Sequence, residues 1–191
     1  MTRRTLYVAR HGEADAWGVL TERGREQSRR LGRRLAALPI DVVWHSPLPR
    51  AADSAAEIAG TWPGVLVDEA PELVDHVPQV PDLDRLSPVR RAFFDGVGAA
   101  EIAEGGQRAA QLLARFAVPN PPGARASHEV LVTHAYQVAW LVRAALGAPP
   151  ERWMSLAEID STGLTILELE RDEPPRIRCL NELSHLAGVA G

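Results

Sequence analysis

Residues 5–13 read TLYVARHGE, and the break inside them decides the fold. The first five are apolar or β-favouring, and the run stops abruptly at Arg10-His11-Gly12. A short apolar run bounded by polar residues and glycine predicts a buried strand that delivers its end into a loop. The arrangement recurs downstream. Residues 40–45 (IDVVWH) predict a second strand, which ends in Ser46-Pro47-Leu48-Pro49-Arg50 before an Ala-rich helix over 51–59. Residues 129–133 (EVLVT) predict another, with His134 at its tip and a helix over 135–146 directly after.

Between these junctions the periodicity turns helical. Residues 21–38 place Leu31, Leu35 and Leu38 on one face behind Thr21 as N-cap, and Pro39 closes the helix. A third strand over 65–67 runs into a Pro- and Asp-rich segment, 71–88, with no sustained period. This reads as a long loop of the kind that often carries function. A helix over 99–117, the surface loop VPNPPGARAS (118–127), a strand over 164–169 and an edge strand over 176–180 complete the pattern. Strands alternating with helices predict an α/β protein. The expected architecture is a three-layer α/β/α sandwich on a mostly parallel, mixed central sheet, as one domain over residues 1–191.

Composition narrows the function. Of 191 residues, 46% are hydrophobic and 24% charged, the balance of a folded globular chain. All 21 basic residues are arginine, set against 25 acidic ones for a net charge of -4. The arginines at 23, 25, 29, 30, 33 and 34 are interleaved with Glu22 and Glu26, so they read as a solvated helix face and no nucleic-acid partner is expected. A lone Cys179 leaves no disulfide or zinc spacing, and no metal or cofactor is expected. The N-terminal apolar stretch is broken too early, by Arg10, for a signal-peptide core, and no run reaches membrane-spanning length. The expectation is a cytoplasmic protein without a membrane partner.

Open α/β sheets bind ligands beyond the carboxyl ends of their strands. Arg10, His11, Arg50 and His134 all fall at or just past such ends. Two guanidiniums and two imidazoles in one cleft would repel one another and lose hydration unless an anion lies among them. A phosphate ester satisfies that requirement.

The stretches VARHGE (8–13), LTERGREQ (20–27), HSPLPRA (45–51) and LVTHA (131–135) resemble, in order and spacing, the histidine phosphatase superfamily, also called phosphoglycerate mutase-like. The resemblance implies a metal-independent phosphatase that acts on a small phosphomonoester. His11 would be the nucleophile and become phosphorylated, with Arg10, Arg50 and His134 holding the phosphoryl oxygens. The family places a general acid in the loop after the third strand. Here Glu69, Glu72 and Asp75 are available; the pattern Leu73-Val74-Asp75 matches best, which makes Asp75 the candidate and Glu72 the reserve. Many relatives have Asn six residues after the nucleophile, where this chain has Trp17. Trp17 is expected to line the pocket against the organic part of the substrate. His134 is followed by Ala135 where Gly is frequent. Mutase-type phosphoryl transfer and non-catalytic phosphate binding stand as the alternatives.

Overall fold

The computed structural model describes residues 2–156 and 158–188. Alternation along β1 (Arg4–Arg10) sends Leu6 and Val8 to one side and Tyr7 and Ala9 to the other, all of them buried. A strand apolar on both faces must be covered on both, which places it inside a sandwich. The other strands are β2 (Val42–His45), β3 (Leu66–Glu69), β4 (Ser127–Thr133), β5 (Leu164–Leu169) and β6 (Arg176–Glu182). They form one sheet in the order β3-β2-β4-β1-β5-β6. The first four in that order run parallel, with Val8 opposite Leu131 and Val43 opposite Val130. β5 pairs antiparallel to β1, and β6 antiparallel to β5. The sheet is therefore mixed and mostly parallel, as expected.

Helices α1 (Glu22–Leu35) and α2 (Pro49–Ala59) cover one face, where Leu31, Leu35, Ala55 and Ile58 pack with Tyr7, Val43 and Val132. After the short α3 (Pro88–Ala92), α4 (Ala99–Phe116) and α5 (Ala135–Ala145) cover the other. There Leu112, Phe116, Val138 and Leu141 meet Leu6, Val8 and Leu131. Thr21 caps α1 as expected, its Oγ1 accepting from the Gly24 amide at 3.0 Å. No helix among the described residues is long and apolar enough to cross a membrane.

Several details differ from the sequence reading, three of them near the site or its supports. α1 stops at Leu35, three residues short of Leu38. β2 starts at Val42 because Asp41 turns its carboxylate to the His128 amide (2.8 Å) and Arg125 (2.6 Å). Segment 71–88 is not a plain loop: it holds 3₁₀ turns at Pro71–Leu73 and Leu83–Arg85 and leads into α3, capped by Ser87. A further 3₁₀ stretch, Pro150–Ser155, follows α5.

Candidate active site

Adjacent tips of β1, β4 and β2 build the centre. The ladder continues one residue beyond each strand: the His11 amide donates to Thr133 O (2.9 Å) and the Ser46 amide to Val132 O (3.0 Å). These bonds hold His11, Ser46 and His134 on a rigid edge. Both α2 and α5 begin at such tips, so the positive ends of two helix dipoles face the cleft. Close backbone contact seats the nucleophile loop on α1. A Cβ on Gly12 would collide with the Gly24 carbonyl, and one on Gly24 with the Glu13 carbonyl.

The His11 ring is buried, with Nδ1 2.7 Å from the Gly12 carbonyl. A carbonyl only accepts, so Nδ1 carries the hydrogen and Nε2 keeps its lone pair. Arg50 Nε donates to that Nε2 at 3.0 Å. Burial, reinforced by the charges of Arg50 and Arg10 against the Gly12 hydrogen bond, lowers the His11 pKa to about 4. The ring is neutral at ordinary pH, the form a nucleophile needs.

His134 lies edge-on to His11, with ring centroids 5.1 Å apart. Its Nε2 is 2.8 Å from Ser46 Oγ, and its Nδ1 is 3.3 Å from Arg50 Nη2 and 3.8 Å from Asp75 Oδ2. Burial and the neighbouring His11, Arg50 and Arg10 hold its pKa down at about 2. Arg50 Nη2 also donates to Asp75 Oδ2 at 3.0 Å. Burial raises the Asp75 pKa, and Arg50 pulls against it. Arg10 is anchored by Nη1 donating to Ile159 O at 2.7 Å. Ser54 braces the arrangement: its hydroxyl accepts from the Gly12 amide (2.9 Å) and donates to Arg50 O (2.7 Å). Thr162, left-handed at φ 58°, donates its amide to Arg10 O at 3.0 Å.

The structure thus brings Arg10, His11, Arg50, Asp75 and His134 together. It does not bring Glu72, whose carboxylate accepts from Arg115 of α4 at 2.7 Å. The pocket expectation for Trp17 is corrected. The Asp15 carboxylate accepts the Trp17 and Val19 amides, both at 2.9 Å, in a tight turn with Gly18 at φ 80°. That turn leaves Trp17 90% exposed, apart from the residues that line the cavity described below.

A cavity of about 540 Å³ opens beside the cluster, with Arg10, His11, Asp75 and His134 at one end. Its remaining wall includes Phe93, Tyr136, Trp153 and Met154. The aromatic rings meet edge to face, Phe93 to Tyr136 at 5.8 Å and Tyr136 to Trp153 at 5.1 Å. Sequence reasoning misses these residues because they come from three separate elements; only Tyr136, two residues past His134, carries a positional signal.

A family model described as the histidine phosphatase superfamily (branch 1) matches residues 6–183. The serine/threonine-protein phosphatase Pgam5, mitochondrial, of Caenorhabditis briggsae is 29% identical over 96% of this chain and 64% of its own length. This chain therefore spans less than two thirds of that curated relative. Among solved structures, a putative alpha-ribazole-5'-P phosphatase from Escherichia coli aligns with TM-score 0.72 at 21% identity, covering 95% of this chain and 98% of that one. A phosphoglycerate mutase from Plasmodium falciparum aligns with TM-score 0.66 at 19% identity, covering 100% and 98%. These two share the fold. The cytoplasmic expectation does not stand, because curated relatives at 26–30% identity are named as mitochondrial proteins.

Proposed function

The chain belongs to the histidine phosphatase superfamily, and from that premise we propose that it is a phosphoric monoester hydrolase. It acts on a small phosphomonoester, through a phosphorylated His11 and without a metal ion. One observation carries this reading: a single guanidinium, Arg50, bonds His11 Nε2, His134 Nδ1 and Asp75 at once, around the place where a phosphoryl group must sit.

The Nε2 lone pair of His11 attacks phosphorus in line, forming the N–P bond as the P–O bond to the alcohol breaks. Arg10, Arg50 and the neutral His134 ring hold the phosphoryl oxygens, and the two guanidiniums supply the positive charge that the transfer needs. The incoming phosphate takes over Arg50 from Asp75 and from His11 Nε2, which frees the attacking lone pair. Released from that cation, the half-buried carboxyl holds a proton more readily and gives it to the leaving alkoxide. Asp75 then accepts a proton from water as the oxygen attacks the phosphohistidine, and phosphate and free His11 result.

The test is hydrolysis of a generic aryl phosphate in the presence of a chelator, repeated with His11→Ala. Turnover that survives chelation and falls at least about a thousandfold in the variant is expected. Turnover lost to the chelator, or kept by His11→Ala, refutes the mechanism. Phosphoserine or phosphothreonine in protein, the substrate class in the relatives' names, is the second reading. A phosphopeptide hydrolysed with higher kcat/KM than any small ester would favour it.

A further inference from the structure

Resting on the phosphatase reading, we infer that the alcohol portion of the substrate is a flat apolar ring, so that the natural substrate is an aryl or arylalkyl phosphomonoester and not a sugar or polyol phosphate. The 540 Å³ cavity is the size of a small-molecule site, and its two ends differ in chemistry. The phosphate end holds the cationic and imidazole groups. The other end offers ring faces and edges from Phe93, Tyr136 and Trp153, with Met154, Leu156 and Ile159 beside them.

The Tyr136 phenol is the polar group that the three rings offer a hydroxyl. Trp153 is 3% exposed, and its Nε1 hydrogen is already donated to Gln79 O at 3.0 Å. The main-chain oxygen of Ile159 is taken by Arg10. A sugar entering here would give up water at several hydroxyls for one phenol and two solvent-exposed charges, an exchange that disfavours it against a ring. A ring loses nothing and extends the edge-to-face series already formed by the three side chains. Phe93 is 45% exposed and lines the cavity, so part of its ring is open to a ligand. The charged residues in this part of the lining, Arg90 and Glu158, are both solvent-exposed.

Phenols leave more readily than alkanols, so the test compares esters of equal leaving-group type: 2-phenylethyl phosphate against glycerol 3-phosphate. We expect wild-type kcat/KM to favour the phenylethyl ester by more than about tenfold, and Phe93→Ala to reduce that ratio severalfold. Equal kcat/KM for the two esters, or an unchanged ratio in Phe93→Ala, overturns the inference. To separate its failure from failure of the phosphatase reading, binding of 2-phenylethylphosphonate and 3,4-dihydroxybutylphosphonate to His11→Ala is measured by calorimetry. Selective binding of the phenyl compound by His11→Ala, when the wild type turns over neither ester, keeps the ring site and rejects the hydrolase. Indiscriminate binding rejects the ring site whatever the activity.

Discussion

Ser46 meets His134 through a hydroxyl that can both give and take a hydrogen bond. With the Arg50 guanidinium donating toward Nδ1, the neutral His134 ring carries its hydrogen on Nε2 and gives it to Ser46 Oγ. In the proposed reaction Nδ1 must instead donate to a phosphoryl oxygen, so the hydrogen has to change sides. Ser46 permits that by turning its own O–H toward Nε2, while still accepting from the Leu48 amide at 3.3 Å. Ser46→Ala leaves Nε2 without a partner in a fully buried place. We expect kcat to fall about tenfold, the value of one good hydrogen bond, and the ¹⁵N shifts of His134 with bound vanadate to lose the Nδ1–H form. Unchanged shifts and kcat would show that the hydroxyl serves packing alone.

At the level of elements, the approach of α1 to the nucleophile loop depends on two facing glycines. A methyl group at Gly24 would meet the Glu13 carbonyl and, at 2.8 Å, Leu20 Cδ1, so α1 must move off the loop that carries His11. Gly24→Ala should cost about 1–3 kcal/mol in urea unfolding and lower activity with it. A variant of unaltered midpoint and rate would mean that the loop does not rely on this contact. Strand tips are legible in the sequence because a buried run that ends in Arg-His or in Thr-His leaves polar groups no other place to go. Segment 71–88 is less so. Its turns are too short for a period to show, and Glu72 is held away from the cluster by Arg115, a residue of α4 that no local pattern connects to it. Trp17 misleads for a related reason: its neighbourhood to the site is set by the Asp15 turn and not by its distance from His11. The aromatic wall, assembled from α5 and two segments outside the strands, is a product of tertiary packing alone.

For the molecule as a whole, two neutral buried imidazoles make stability depend on pH. Unfolded histidines protonate near 6.5, while in the folded protein His11 resists protonation down to about 4 and His134 to about 2. Between these values the unfolded chain binds more protons, so stability is complete above about pH 6.5 and declines as the pH falls. The slope reaches up to about 1.4 kcal/mol per histidine per pH unit. Asp75, whose folded pKa is raised, acts in the opposite sense at lower pH and offsets part of the loss. Urea unfolding at pH 7, 6 and 5 should show this decline, and a flat profile would mean that the rings take up protons freely in the fold. Saturating vanadate, which brings negative charge among the rings, should flatten it. The placement of β1 also governs how the protein comes into being. Its two neighbours in the sheet are β4 and β5, so the strand bearing the nucleophile leaves the ribosome long before either partner exists. A nascent chain that stops ahead of residue 127 carries an imidazole with nowhere to dock, and reactivity arrives only once β4 and β5 have been made.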